Sequence, residues 1–469
     1  MRLSSATLDR LPPTIARCDY DRQAQAVGIL HLGIGAFHRA HQAWYTDRAM
    51  EAGDRNWAII GTSLRSSDVA EQLNPQDGLY TVTERSTAGN TIRLIGAVRE
   101  VLVAAQDPAR LASRLIAPST HIVSLTVTEK GHCRKPDGSL DHDLAAQPGI
   151  YTVLADALGK RRQAGCGGLT LLSCDNLADN GAQLARLMSE YLDWHDPELA
   201  RWFTAECTCP GTMVDRIVPA TTDADRASVA MMLDGVRDEA AVMTEDFSQW
   251  VVEDRFAGPR PRWEKVGAQL VRDVAPYETA KLRMLNGAHS ALAYLGLERG
   301  YAFVHEAVAD PQLRALIERL MRQEAAPTIA VAPGQDLNAY ADALLARFAN
   351  PALRHRLAQI AMDGSQKIPQ RWLATLAASQ QLGRECPAIL TALAAWMRHL
   401  RGDAVNDPMG PMLKAAWASA STAGIDNALF GPRGMIAGAW HPSPAQHAWL
   451  TKAVNDPELP SISSESTDA

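Results

Sequence analysis

Cysteine is scarce in this 469-residue sequence, and its seven copies are odd in number and widely spread. Disulfide frameworks pair even numbers of cysteines in short secreted chains, so the pattern indicates reduced thiols instead. We therefore expect a reducing, cytoplasmic location. Cys207 and Cys209, with His195 nearby, lack the second pair of ligands that a zinc site needs, so no metal is expected.

Long apolar runs and long basic runs are also missing. The start, MRLSSATLDRLPP, has no apolar stretch of signal-peptide length, and no run of about 18 apolar residues follows. We therefore expect no membrane association. The 46 Lys and Arg residues are scattered among 53 Asp and Glu residues, giving a net charge of −7, so no nucleic-acid partner is expected.

The composition that is present is typical of a globular enzyme. Hydrophobic residues make up 46% of the chain and charged residues 21%. A chain of this length exceeds the ~250–300 residues at which a single core stops growing, so two domains are predicted.

The first strong pattern is VGILHLGIGAFHRAH at 27–41. Residues 27–32 form a short apolar run that fits a buried parallel strand, and Gly33-Ile34-Gly35 follows at once. A helix is predicted over roughly 38–52, and a second strand within 56–68. Strand, glycine turn, helix and strand together open a dinucleotide-binding unit.

Glycine suits this turn because it permits a tight bend and lets a pyrophosphate approach N–H groups at a helix N-terminus. Gly33, Gly35, Ala36 and Phe37 are therefore candidate cofactor-binding residues. The full pattern has Gly or Ala at the sixth position, where His38 stands instead.

Two charged residues follow the second predicted strand. Asp68 is a candidate to accept hydrogen bonds from a ribose diol and to repel a 2′-phosphate, which favours NAD. Arg65 argues the other way, because it offers a phosphate a partner. Solvation in an ordinary loop is the alternative for both residues.

Two later strand-like runs, 121–131 and 168–181, also end in polar residues, among them Lys130, Asp175 and Asn176. These residues are predicted at the carboxyl edge of a parallel sheet, where doubly wound sheets bind ligands. Alternatively, Asp175 and Asn176 cap a helix that starts near Leu177.

From about residue 276 the pattern changes to helices. They are predicted at 277–297, 302–323, 336–347, 351–363, 369–381, 386–400 and 408–422. We expect an α/β protein, with a Rossmann-like NAD-binding domain at 1–275 and a mostly α-helical substrate domain at 276–457. The polar tail, 458–469, is predicted to be disordered.

The first of these helices, KLRMLNGAHSALAYLG, carries polar residues on one side. At ~100° per residue, Lys281, Asn286 and His289 share an arc of roughly 140°. Polar groups beside a packed face need partners, because an unpaired buried group costs about 1–3 kcal/mol. Either a ligand occupies this arc or the start of the helix is solvated.

Several motifs in this order and spacing resemble the polyol-specific long-chain dehydrogenases, a family that includes mannitol and D-arabinitol dehydrogenases and D-mannonate oxidoreductase (fructuronate reductase). The motifs are HLGIGAFHRAHQAWYTD, SLTVTEKG, SCDNLADNG, MVDRIVPATT, QWVVEDRF, KLRMLNGAHSALAYLG and AMDGSQKIPQR. The resemblance covers roughly residues 25–400. Four of the motifs, TVTEKG, GTMVDRIVP, KLRMLNG and DGSQKIPQR, are more similar to the mannonate branch.

The resemblance implies roles for individual residues. It implies that Lys281 is the catalytic lysine and that Asn176, Asn286 and His289 act with it. Glu278 matches a glutamate that relays the proton. Asp215 and Lys367 match an aspartate and a lysine near the substrate. It also implies that His38 in place of the third glycine is a family feature.

The implied chemistry is oxidation of a secondary alcohol without a metal. A lysine in water, at ~10.4, is too basic for a general base, but desolvation and a positively charged nicotinamide ring both lower a lysine pKa. Lys281 would take the hydroxyl proton. Asn176 and Asn286 would donate to the developing alkoxide, and His289 would hold a substrate hydroxyl or Asn286.

A sugar-acid substrate adds a carboxylate, which calls for a cation. The candidates are Arg283, Lys130, Lys367 and Arg371. We therefore expect an NAD-dependent D-mannonate oxidoreductase, acting as a monomer or a small homo-oligomer. The alternatives are a dehydrogenase of neutral polyols and a non-catalytic nucleotide- or sugar-acid-binding protein.

Overall fold

The computed structural model describes residues 1–135, 137–402, 405–420, 424–436, 438 and 440–456. The tail predicted to be disordered, 458–469, lies outside the described residues. The chain divides into two compact units, Met1–Ala275 and Pro276–Ala469. Within the described ranges, no helix is both long and apolar enough to cross a membrane.

The strands of the described residues all lie in the first unit. They are β1 (Ala16–Arg17), β2 (Val27–Leu32), β3 (Ala58–Ser63), β4 (Tyr80–Ser86), β5 (Gly89–Ile95), β6 (Val98–Val103), β7 (Ile122–Leu125), β8 (Thr170–Ser173), β9 (Thr212–Asp215), β10 (Val242–Glu245), β11 (Gln249–Glu253) and β12 (Gln269–Val271). The α-helices of this unit are α1 (Ala36–Ala40), α2 (Gln42–Glu51), α3 (Asp68–Leu73), α4 (Pro108–Leu115), α5 (His142–Ala145), α6 (Ile150–Gln163), α7 (Asn180–His195), α8 (Pro197–Glu206) and α9 (Asp223–Met232).

Five parallel strands form the main sheet, in the order β6-β3-β2-β7-β8. Counted along the chain, this is the strand order of a doubly wound dinucleotide-binding sheet. The order reverses between β2 and β7, and in this architecture ligands bind outside the carboxyl ends of the strands at that point. The predicted Rossmann-type fold is confirmed.

The two central strands read as apolar runs because they are buried on both faces. All four residues of β7 are buried, and so are all residues of β2 after Val27. Parallel strands covered by helices on both faces show this continuous pattern. The strand predicted at 121–131 is therefore real but short, ending at Leu125.

Two further sheets, β1-β5-β4-β10 and β12-β11-β9, were not identified from the sequence. The sequence does contain a local signal for the first of these sheets, at the connection between β4 and β5. In β4 and β5, β-branched residues flank a two-residue turn, with Ser86 paired to Gly89, and Gly89 has a φ of +125°. That combination is typical of a β-hairpin.

The second unit is mostly α-helical, as predicted. Its helices are α10 (Ala275–Ala280), α11 (Gly287–Glu298), α12 (Val304–Ala309), α13 (Pro311–Arg319), α14 (Leu337–Phe348), α15 (Leu357–Ile360), α16 (Gly364–Ile368), α17 (Ala374–Gln381), α18 (Pro387–His399), α19 (Gly410–Ser419), α20 (Ile425–Phe430) and α21 (Pro444–Asn455). In the described part of this unit, three π-helical turns interrupt them, at Lys281–Asn286, Leu320–Ala325 and Pro369–Leu373. Helix α11 is buried from Gly287 to Gly296, so it packs on all sides.

Three helix predictions were wrong in extent. The helix predicted at 38–52 breaks at His41, whose backbone is not helical, into α1 and α2. The helix predicted at 302–323 breaks at Asp310, because its carboxylate accepts from the first N–H groups of α13 and Pro311 follows it. The helix predicted at 351–363 shrinks to α15, since Arg354 has a φ of +45°.

Candidate active site

The turn after β2 contains two glycines with different roles. Gly33 has a φ of +94°, and a Cβ there would lie 2.1 Å from the carbonyl oxygen of Thr126. Gly35 is exposed at a φ of −82°, and a Cβ there would meet only the Gly33 carbonyl oxygen, at 3.9 Å. The fold therefore requires Gly33, whereas the open surface at Gly35 fits a ligand approaching the start of α1.

A stacked pair of buried histidines supports the turn. The ring centroids of His31 and His38 are 3.3 Å apart, with the planes 11° from parallel. Thr126 Oγ1 donates to the Gly33 carbonyl oxygen at 2.7 Å, so it accepts from His31 Nε2 at 2.8 Å. Ser124 Oγ then donates to His31 Nδ1, also at 2.8 Å. These bonds assign the Nε2–H tautomer to His31.

Both imidazoles are neutral. Burial lowers the pKa of His31 to about 3 and holds the pKa of His38 well below its usual range. His38 is therefore a core residue of the turn, and its ring occupies the place where the usual pattern has Gly or Ala.

The other candidate cofactor residues lie around the same strands. Ala36 and Phe37 are half-buried, and the Phe37 ring stacks on His41 at 5.1 Å between centroids. Arg65 and Asp68 are exposed beyond β3. Asp68 is the first residue of α3, where a carboxylate is favoured by the helix dipole, so it also has a structural use.

Asp175 joins the loops that follow β7 and β8. Its Oδ1 accepts from the Val127 N–H at 2.6 Å, and its Oδ2 accepts from Ser173 Oγ at 2.8 Å and pairs with His132 Nε2 at 2.9 Å. His132 was not identified from the sequence, because this contact spans 43 residues. Asp175 therefore shapes the carboxyl edge of the sheet.

Asn176 and Lys130 are both exposed in these loops. The predicted capping of a helix near Leu177 was wrong, since α7 begins at Asn180. The Asn180 side chain donates to the carbonyl oxygens of Asp175 and Thr212, at 3.0 and 2.8 Å. The backbone that carries Asn176 is thus anchored on both sides.

Asp215, the last residue of β9, is buried at 5% exposure. Its neighbour Arg216 is held by the carbonyl oxygens of Ala40, at 2.6 Å, and Glu245, at 3.0 Å. Sequence reasoning did not identify Arg216, which ties the end of β9 to the end of α1.

In the second unit, the residues of the polar arc lie on one interrupted helix. Glu278 is in α10 and is buried, while Lys281 and Asn286 bound the π-helical turn and are half-buried. Hydrogen bonds of the i→i+5 type close this turn. Residues five apart therefore lie on nearly the same side, and the 140° estimate from α-helical geometry was too wide.

His289 follows in α11 and is 8% exposed. Its ring contacts Phe348 and His355, at centroid distances of 4.7 and 5.2 Å. Burial, then the neighbouring His355, Arg347 and Arg371, hold the pKa of His289 well below its usual range. A neutral imidazole results, which can donate or accept a hydrogen bond. His355 and Arg347 carried no sequence signal.

Arg371 lies in the π-helical turn Pro369–Leu373, close to the polar arc. Its Nη1 donates to Ser290 Oγ at 2.7 Å and to the Asn286 carbonyl oxygen at 3.3 Å. Burial lowers the pKa of Arg371 to about 10, so the side chain stays cationic at neutral pH. Within the described residues, no carboxylate pairs with it.

The other two candidate cations of this unit are engaged elsewhere. Arg283 Nη1 donates to the carbonyl oxygen and the hydroxyl of Thr328, at 2.8 and 2.7 Å. Lys367 Nζ donates to the Met362 carbonyl oxygen at 2.5 Å and lies 3.9 Å from an Asp363 carboxylate oxygen. Both side chains therefore have partners within the protein, Arg283 on a distant segment and Lys367 within five residues of itself.

Two protein-family models match consecutive parts of this chain. The mannitol dehydrogenase Rossmann domain matches residues 27–265, and the mannitol dehydrogenase C-terminal domain matches residues 273–429. The chain belongs to the mannitol dehydrogenase family. The resemblance seen in the sequence motifs is confirmed, and this member of the family is an oxidoreductase.

This member of the mannitol dehydrogenase family is similar to proteins with different activities. It is 45% identical over 434 residues to the uncharacterized oxidoreductase YeiQ of Escherichia coli, covering 88% of each chain. It is 43% identical over 403 residues to the D-mannonate oxidoreductase of the same organism, covering 83% of each. Among solved structures it is similar to Pseudomonas fluorescens mannitol 2-dehydrogenase in a ternary complex with NAD and D-mannitol. The TM-score is 0.84 and the identity 35%, over 97% of this chain and 96% of that one.

Proposed function

We propose that this chain is an NAD-dependent oxidoreductase that interconverts D-mannonate and D-fructuronate at a secondary alcohol. The observation that carries the choice of a sugar acid is the half-buried Arg371, whose guanidinium contacts no carboxylate of the described chain. A buried charge is costly unless it is paired. A substrate carboxylate beside Asn286 and Ser290 would supply that pair.

The first unit supports NAD as the cofactor. Its sheet order, the left-handed Gly33 and the open surface at Gly35 fit a pyrophosphate at the turn after β2. Asp68, exposed at the start of α3, would accept from the ribose hydroxyls and disfavour a 2′-phosphate. Bound NAD would supply the hydride acceptor. Arg65, equally exposed, is the feature that favours NADP.

The second unit supports lysine as the general base. In our proposal Lys281 takes the hydroxyl proton, and the buried Glu278, three residues earlier, passes it onward. The Asn286 amide would donate to the developing alkoxide. The same role for Asn176 remains a prediction from the sequence. His289, kept neutral by burial, would orient a substrate hydroxyl.

A neutral-polyol dehydrogenase is the second candidate. Arg283 and Lys367 favour this candidate, because both already donate hydrogen bonds to protein oxygens. Fewer of the predicted cations are then available to bind a substrate carboxylate. Lys130 is exposed in the first unit and remains a prediction as a substrate ligand, as does Asp215.

The test is a spectrophotometric assay of the full chain with NAD. D-mannonate, D-gluconate, D-mannitol and D-arabinitol are compared by kcat/KM, with D-fructuronate and D-fructose in the reducing direction. The proposal expects D-mannonate to be oxidised far more efficiently than D-mannitol. Efficient oxidation of D-mannitol with no turnover of D-mannonate would favour the second candidate instead.

A further inference from the structure

The imidazole of His289, in the second unit, has a buried nitrogen without a partner. Its Nε2 is closed off from solvent and makes no hydrogen bond with the described residues. A ligand can therefore meet this ring only from the side of Nδ1 and the ring carbons. A histidine that acts through one ring nitrogen is commonly oriented by a hydrogen bond at the other nitrogen. Because Nε2 has no such bond in the described chain, another contact has to orient His289.

Two aromatic rings contact the His289 imidazole. The Phe348 ring lies 4.7 Å away between centroids, with the two planes at 50°. The His355 ring lies 5.2 Å away and meets His289 edge to face, at 83°. Favourable aromatic pairs have centroids about 4.5–7 Å apart and avoid a face-to-face sandwich, so both contacts are of the favourable kind. Rotation of a histidine ring about χ2 is otherwise broad, and such packing restricts it.

The backbone that carries His355 is itself held in place. The Val304 N–H donates to the His355 carbonyl oxygen at 3.0 Å. The next residue, Arg356, forms an antiparallel bridge with Phe303. The guanidinium carbons of Arg354 and Arg356 lie over the Phe303 ring, 5.0 and 5.4 Å from its centroid. The segment around His355 is thus fixed to the start of α12.

His355 meets His289 as an uncharged ring. Burial, and then the charge of Arg347, lowers the pKa of His355 below the usual range of histidine. The Nδ1 of His355 is buried and has no partner in the described chain, so it does not bond Nε2 of His289. The contact between the two imidazoles is therefore ring packing, which a phenyl ring provides as well.

We propose that His355 is a positioning residue, which together with Phe348 fixes the ring of His289 so that its Nδ1 faces the substrate. Removing the His355 ring frees rotation of the His289 ring and displaces the nitrogen that contacts a substrate hydroxyl. This inference rests on the proposed function, in which His289 orients that hydroxyl.

The first experiment is nuclear magnetic resonance of the full chain labelled with ¹³C and ¹⁵N at histidine. The ring signals of His289 are assigned by their loss in His289→Gln. We expect one sharp set of His289 signals in the wild type and in His355→Phe, and broadened or tautomer-averaged signals in His355→Ala. Unchanged His289 signals in His355→Ala would overturn the proposal.

His305→Ala is the matched control for loss of a histidine ring. Like His355, His305 is half-buried and has a buried Nδ1 without a partner in the described chain. Its ring stacks on Phe303, at 5.6 Å between centroids. We expect this variant to leave the His289 signals as they are in the wild type. Equal broadening of the His289 signals in His305→Ala would overturn a specific role of His355.

Steady-state kinetics separate this inference from the proposed function. The assay uses NAD and whichever of D-mannonate and D-mannitol the wild type oxidises better. Misplacing a contacting group by about 1 Å costs up to a hundredfold, so we expect His355→Ala to lose roughly tenfold or more in kcat/KM for the alcohol. The KM for NAD should stay near wild type, and His355→Phe should restore most of the loss.

Two kinetic outcomes would count against these ideas, in different ways. Wild-type efficiency in His355→Ala, beside an impaired His289→Gln enzyme, would overturn the positioning role of His355 alone. Wild-type efficiency in His289→Gln would refute the role proposed for His289 in the reaction and, with it, the orientation of Nδ1 toward the substrate.

Discussion

Replacing Arg371 with methionine is the sharpest test of the sugar-acid proposal. The guanidinium is half-buried, cationic and bonded to the Ser290 hydroxyl and the Asn286 carbonyl oxygen, with no carboxylate partner in the described chain. Methionine keeps most of the apolar stem and removes the charge. Because replacing a buried ion with an apolar side chain is often neutral for stability, we expect Arg371→Met to fold.

The expected magnitude follows from the charge. A carboxylate 4 Å from this cation gains about 4 kcal/mol at an effective dielectric constant near 20. Losing it lowers kcat/KM for D-mannonate about a thousandfold, at 1.36 kcal/mol per factor of ten. A neutral polyol would lose only a hydrogen bond, worth about 1 kcal/mol. The ratio of D-mannonate to D-mannitol efficiency should therefore fall over a hundredfold, by roughly 3 kcal/mol.

The assay measures kcat/KM for both substrates in the wild type and in two variants. Arg283→Met is the matched control, because Arg283 is a partly buried arginine of the same unit whose Nη1 is already held by Thr328. We expect that control to lose stability and to keep the wild-type ratio. An Arg371→Met enzyme with an unchanged ratio of D-mannonate to D-mannitol efficiency would refute Arg371 as the carboxylate partner. A lower ratio in Arg283→Met would assign that role to Arg283 instead.

Four further outcomes are expected. Lys281→Ala should lose at least a hundredfold in turnover while NAD affinity, measured by calorimetry, stays near wild type; retention of a tenth of the activity would rule out Lys281 as the base. Gly35→Ala should unfold at the wild-type temperature yet bind NAD more weakly, whereas Gly33→Ala should lower the melting temperature, because its Cβ meets a carbonyl oxygen at 2.1 Å. Asp68→Ala should reduce the preference for NAD over NADP about tenfold, as expected for an exposed charge; an unchanged ratio of kcat/KM would contradict its role. Burial lowers the pKa of His31 to about 3, below the ~6.5 of an unfolded histidine, so its contribution to stability is complete above pH 6.5 and declines as the pH falls toward 3. Urea unfolding of His31→Gln should therefore show a pH slope smaller by about one bound proton below pH 6.5, and an equal slope would contradict this.

The local features of the fold were predictable because their causes are local. Residues 27–32 are apolar and adjacent to Gly33, and the observed strand has the same bounds. Proline and aspartate at 310–311 also carried a helix-break signal, which the apolar periodicity of the surrounding residues obscured. Where periodicity competes with capping chemistry, the capping residues decide the helix boundary.

The contacts that define the candidate site depend on distant residues, and a single sequence does not pair them. Arg371 lies 81 residues from Ser290, and Asp175 lies 43 residues from His132. Arg371, Arg283 and Lys367 looked equivalent as cations in matched motifs. Only their partners distinguish them, because Arg283 bonds oxygens of the distant Thr328 and Lys367 bonds that of the nearby Met362. Arg371 has no counter-charge in the described chain.

The π-helical turns explain why the polar arc could be recognised but not drawn correctly. Helical periodicity assumes the same rotation angle at every residue. The π-helical turn at Lys281–Asn286 changes that angle, and no change in residue type reveals it. A second π-helical turn carries Arg371, which donates to the Asn286 carbonyl oxygen, while the neighbouring Trp372 donates to that of Gly287. Each π-helical turn thus presents polar groups to the other. A Cβ at Gly287 would lie 3.6 Å from the Arg371 carbonyl oxygen, an ordinary van der Waals distance, so the two turns are in contact at this residue. The packing of these two turns, rather than the spacing of polar residues along one helix, therefore sets the geometry of the proposed base and the proposed carboxylate partner.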